Sequence, residues 1–139
     1  MTAFGTVSAV DAEDAVRTWL RNAAVGPAGA RVFFGLPPEY DLAAKGPAVA
    51  LQVIDSDSGD NTTAGLEHVL WQFDCWAATR VLALQTRVAL LNLLYGLEQV
   101  TVPGKALLVA AYGIRWRFLP DPTDPPTPRY VVEATITTG

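Results

Sequence analysis

In HVLWQFDCWAATRVLALQTRVALLNLLYGL, residues 68–97, the spacing of apolar side chains changes once, from two residues to three or four. Val69, Trp71, Phe73 and Cys75 alternate with Leu70, Gln72, Asp74 and Trp76, as in a strand with two unlike faces. From Thr79 onward, Val81, Leu84, Val88, Leu91 and Tyr95 recur at helical steps. Leu94 widens that stripe, while Arg80, Arg87 and Asn92 suit the wetter side. Thr79 is placed to cap this helix and Gly96 lies near its end. A chain with both patterns in sequence must pack a helix on one face of a sheet.

The flanking segments extend that pattern. SAVDAEDAVRTWLRNAA, residues 8–24, predicts a first helix with Ala12, Ala15, Val16, Trp19, Leu20 and Ala23 on one stripe. Ser8 or Asp11 can cap it, and Gly26 and Pro27 stop it. RVFFGLPPEY, residues 31–40, reads as an edge strand running into a proline-punctuated loop. PAVALQVID, residues 47–55, is a strand with Val49, Leu51 and Val53 on one face and Gln52 on the other. With 68–76 it forms an antiparallel hairpin. KALLVAAYGIRWRFLPD, residues 105–121, predicts a long strand with Leu108, Ala110, Tyr112, Ile114, Trp116 and Phe118 together and Arg115 and Arg117 opposite. DPTDPPTP forms a loop, and RYVVEATITT a last strand with Tyr130, Val132, Ala134 and Ile136 opposite Glu133. The expected fold is α+β: one domain over residues 1–139, with a mainly antiparallel sheet of four to five strands and two helices on one face.

A chain of 139 residues, half of them apolar, can bury one hydrophobic core. Its net charge of −4 and scattered basic residues argue against sequence-specific nucleic-acid binding. No apolar run approaches the roughly 20 residues of a membrane span, and MTAFGTVSAV does not resemble a signal peptide. The lone Cys75 excludes an internal disulfide and fits folding in a reducing cytoplasm.

Candidate chemical sites fail on spacing. DSDSGDNTTAG, residues 55–65, groups Asp55, Asp57 and Asp60, but glycine and aspartate are reversed relative to a calcium loop and Leu66 stands where its glutamate belongs. A solvated hairpin tip accounts for it better. His68 and Cys75 are seven residues apart, so one regular strand sends them to opposite faces. No other histidine could serve a Cys–His or Ser–His–Asp enzyme, and one Cys with one His is a poor zinc site. PGKA lacks the hydroxyl of a phosphate-binding loop. Trp19, Trp71 and Trp116 fall on apolar faces; Trp76 is the exception. No catalytic residue, cofactor site or metal site is assigned.

The second sheet face collects Gln72, Asp74, Trp76, Arg115, Arg117 and Glu133. Charges of both signs beside an aromatic suit either a solvated face or a contact between subunits, and these six are the candidate subunit interface. A small enzyme built on Asp74, Arg115 and Glu133 is the alternative from another class.

The order of elements, GPAVALQV followed by a polar loop, and above all FDCWAATR running into an Ala/Leu-rich helix, resemble the tail-terminator (tail-completion) proteins of long-tailed bacteriophages and related minor tail proteins. The resemblance in element order spans nearly the whole chain and is loose in motif. It implies a structural, non-enzymatic virion protein, assembled in the host cytoplasm. It also implies a ring, commonly of six copies, that caps the tail tube and docks to the head–tail connector. A head-completion component would share the fold. No catalytic residues, cofactor or membrane partner are implied.

Overall fold

A computed structural model describes residues 9–57, 66–122 and 126–139. The fold is α+β: a six-stranded, mostly antiparallel sheet curled into a half-barrel, with two main helices packed on it. Helix α1 (Ala9–Ala23) leads through a 3-10 turn (Gly26–Ala28) to β1 (Val32–Phe33). A one-turn α2 (Leu42–Lys45) precedes β2 (Ala48–Asp57) and β3 (Glu67–Trp76). Helix α3 (Arg80–Tyr95) follows, then β4 (Val100–Val102), β5 (Ala106–Phe118) and β6 (Arg129–Thr138). The strand order is β1-β2-β3-β6-β5-β4. Among the described strands, β1 and β2 pair in parallel and the other neighbours are antiparallel.

Six strands stand where four to five were expected. The unforeseen one is β4, three residues long, joined to β5 by a Pro103-Gly104 turn in which Lys105 N–H donates to the Val102 carbonyl at 3.0 Å. Gly104 has φ +75°, the left-handed conformation that the third residue of such a turn requires.

β2 and β3 keep the expected alternation. Val49, Leu51, Val69, Trp71, Phe73 and Cys75 face the interior with Tyr130, Val132, Ala134 and Ile136 of β6. Ala15, Val16, Trp19 and Leu20 of α1 join this same core, although Ala23 at the end of its stripe is exposed. α3 begins where expected: the Thr79 hydroxyl accepts from Leu82 N–H at 3.3 Å.

Two expectations about faces are overturned. Of the stripe expected on α3, Leu91 and Leu94 are buried, together with Ala83, Thr86 and Leu90, but Val81, Leu84, Val88 and Tyr95 point outward. The helix carries two apolar stripes, and the side bearing small Ala83 and Thr86 lies against the sheet. Thr86 satisfies its buried hydroxyl by donating to the Leu82 carbonyl at 2.8 Å. Arg80 and Asn92 are exposed, as expected, with Arg80 4.1 Å from the Phe118 ring centroid; Arg87 is half-buried, 3.7 Å from the Trp116 ring centroid.

β5 does not keep one face along its length. Its pairing with β6 shifts register between Leu108 and Ala110 and again between Tyr112 and Arg115. Each shift inserts a residue and reverses the alternation. Leu108, Trp116 and Phe118 therefore share the face of Val132 and Ile136, whereas Ala110 and Tyr112 turn to the opposite face with Thr137 and Thr135. Gly113, at φ +64°, sits inside the second bulge. Trp116 stays half exposed; among the described residues, strand pairing on the far side of β5 spans Ala106–Leu108.

Candidate functional site

The outer face of the sheet holds all six residues singled out from sequence, in adjacent rows set by strand register. Gln72, Glu133 and Arg115 form one row, Asp74, Val131 and Arg117 the next, and Trp76 and Arg129 a third. Arg115 Nε donates to Glu133 Oε1 at 3.0 Å, and Arg117 Nη1 lies 3.6 Å from Oε2. Glu133 is thus held between two arginines, its own side chain 14% exposed and theirs 74% and 54%. Gln72 Nε2 donates to Asp74 Oδ1 at 3.0 Å, and Arg129 Nη1 is 3.9 Å from Oδ2. Burial raises the Asp74 carboxyl above its ordinary value, against the Gln72 hydrogen bond and the positive charges of Arg129 and Arg117. Arg129 also lies 4.9 Å from the Trp76 ring centroid and donates to the Leu119 carbonyl at 2.9 Å.

Arg129 belongs to this network and was missed in the sequence, although it stands two and four residues before Val131 and Glu133 and so shares their face. The two carboxylates proposed for an enzyme are both engaged by arginines within the chain. A shallow cavity of about 110 Å³ reaches Asp74 and Trp76 from the Phe34–Leu36 loop.

Farther along the same face, Asp55, His68, Leu70, Tyr112 and Thr135 line a cavity of about 260 Å³. His68 Nδ1 lies 3.0 Å from Thr137 Oγ1 and 3.3 Å from the Tyr112 hydroxyl. Cys75 is buried on the inner face, where burial pushes its thiol well up. His68 and Cys75 are therefore on opposite faces, as their spacing requires. Asp55 and Asp57 lie within β2, and Asp60 lies outside the described residues. Among the described residues no three His, Cys, Asp or Glu side chains gather as a metal site, and no helix is long and apolar enough to cross a membrane.

A different surface went unnoticed in the sequence because its residues had been assigned to the core. Val81 is 64% exposed and Tyr95 69%, with Leu84 and Val88 between them on the outward ridge of α3. Trp116 of β5 lies beside this ridge under Arg87.

The paired arginines predict a rescue experiment. Arg115→Glu with Arg117→Glu leaves Glu133 facing two carboxylates, and should lower stability by about 1–3 kcal/mol. Adding Glu133→Arg restores opposite charges across the strands and should recover most of that loss in urea unfolding. Equal stability of the double and triple variants would show that the Glu133 ion pairs do not couple.

No protein-family model matches the chain, and no curated protein matches it.

Proposed function

We propose that this chain is a structural subunit of a bacteriophage tail, a terminator that assembles as a ring on the tail tube and joins it to the head connector. The observation that carries an assembly role is the distribution of exposed apolar side chains. Of the nine large hydrophobics exposed among the described residues, five lie together on α3 and the neighbouring part of β5: the ridge residues Val81, Leu84, Val88 and Tyr95, with Trp116. Apolar residues concentrated on neighbouring elements mark a contact surface more than a solvated one. The tail-terminator assignment itself rests on the resemblance in element order and in the FDCWAATR strand-to-helix junction.

Sedimentation and electron microscopy of the purified chain test self-assembly. The expected species is a closed ring with a central hole. A protein that stays monomeric up to millimolar concentration would overturn the ring.

A further inference from the structure

We infer that the outward ridge of α3 is a docking site for a helix of another protein, apolar along one side and acidic along its flank. A single copy presents the whole site, so it lies outside the ring reading and serves a monomer equally. Val81, Leu84, Val88, Leu91 and Tyr95 follow one another at steps of three, four, three and four, the seam with which one helix packs lengthwise on another. Four of the five are exposed, and Leu91 lies at the buried margin. The seam spans about 21 Å, or about four turns of a partner helix. Its flank toward β5 carries Arg80 and Arg87, seven residues apart, and its other flank the uncharged Gln85 and Asn92. Trp116 stands half exposed beyond the arginines, so the guanidinium groups lie between the seam and the aromatic edge of β5.

Charge identifies the occupant. α3 contains no aspartate or glutamate, and among the described residues neither Arg80 nor Arg87 has a carboxylate partner. Arg80 Nε donates to the Tyr130 hydroxyl at 3.3 Å, which with the Phe118 ring holds that guanidinium in place. Arg87 lies against Trp116 and Tyr130, and among the described residues its buried Nε has no hydrogen-bond acceptor. Both cations are therefore positioned by aromatic faces, with donors left for an incoming acceptor. On the adjoining strand Arg115 and Arg117 share the carboxylate of Glu133, which leaves that edge positive as well. Carboxylates spaced one heptad apart on a partner helix would meet Arg80 and Arg87 in turn. A second copy of this chain is a poor occupant. Two α3 ridges facing each other would bring arginines and no acid, and α1 turns Ala15, Val16, Trp19 and Leu20 into the core. A nucleic-acid backbone would meet the arginines and leave the apolar seam in water.

The probe is a synthetic peptide of about three heptads, with leucine at the seam positions and glutamate on both flanks, labelled for fluorescence anisotropy against the full chain. It should bind with a micromolar Kd or tighter, and raising salt from about 0.05 to about 0.5 M should weaken it about tenfold. The same peptide with lysine for glutamate should bind at least about tenfold more weakly. Val88→Glu and Arg80→Glu should each cost about tenfold or more in affinity for the glutamate peptide. Val88 is exposed, so melting of that variant should match the wild type. Arg80→Lys keeps the charge and should recover most of the affinity lost in Arg80→Glu. No binding up to about 1 mM, or equal binding of the two peptides, would overturn the acidic helix as occupant. Single-stranded DNA that displaces the peptide and binds Val88→Glu as well as the wild type would overturn it too, by showing an electrostatic surface alone. Wild-type chains that self-associate through Val88 and exclude the peptide would place a second copy on the ridge instead. Sedimentation without peptide reads the ring separately: a monomer that binds the glutamate peptide leaves this site standing while the ring falls.

Discussion

Phe73→Ala is expected to lower the unfolding free energy by about 3–5 kcal/mol, the range for deleting a buried aromatic side chain. Phe73 is fully buried on β3, between Leu51 of β2 and Val132 of β6 in register, and its ring stacks on Trp71 with centroids 6.1 Å apart. β3 has a strand on each side and both helices above the core that it lines, so the space left by the ring cannot be filled by a surface shift. Urea unfolding measures this directly. For a domain of this size the melting temperature should fall by roughly 10–20 °C. A loss below about 1 kcal/mol would mean that the inner face is not the centre of the core.

Leu90→Ala and Leu84→Ala should differ sharply although both residues are leucines on α3. Leu90 is fully buried and belongs to the core cluster, so truncation should cost about 2–5 kcal/mol. Leu84 is 37% exposed on the outward ridge, and its truncation should change monomer stability by no more than about 0.5 kcal/mol. In assembled protein the order of sensitivity changes: Leu84→Ala should weaken association while Leu90→Ala mainly lowers the melting temperature. Equal costs at the two positions in the monomer would contradict the observed rotation of α3.

That rotation marks the boundary of what can be read from this sequence. Periodicity identifies a helix and its length, and a chain with one apolar stripe also reveals which side is buried. α3 has two stripes, and the larger side chains of Val81, Leu84, Val88 and Tyr95 draw the reading to the outward one. The choice between stripes is made by fit: Ala83 and Thr86 permit close approach to the sheet, and Arg80 and Arg87 cover aromatic rings that would otherwise lie open. Neither fact is local to the helix sequence.

The strands show the same division. β2 between Ala48 and Val53 and all of β3 pair without interruption, so alternation places their side chains on the observed faces, and with them Gln72, Asp74 and Trp76. In β5 two inserted residues reverse the phase and then restore it. Arg115 and Arg117 remain opposite Trp116 and Phe118, as expected, because all four follow the second bulge; Ala110 and Tyr112 lie between the bulges and do not. Gly113 inside a strand pattern was the available sign of a bulge. The Pro103-Gly104 pair, considered only for phosphate binding, was the sign of the β4–β5 turn.

The candidate outer face was legible as a set of residues and not as a network. Alternation gathers Gln72, Asp74, Trp76, Arg115, Arg117 and Glu133, but only strand order puts β6 between β3 and β5 and lets Glu133 meet both arginines. Those ion pairs engage the charged groups of that face within the chain itself.

The central claim, that the chain terminates a phage tail as a ring, is tested most directly on tails themselves. Electron microscopy should compare tails from a phage lacking this gene with those from the same phage supplied with the chain carrying a gold-binding tag. The account predicts tails of irregular length and unjoined heads without the chain. With it, length becomes uniform, heads join, and gold lies at the head-proximal end of every tail. Uniform tails joined to heads in the absence of the chain would contradict the account, and so would gold found away from that end.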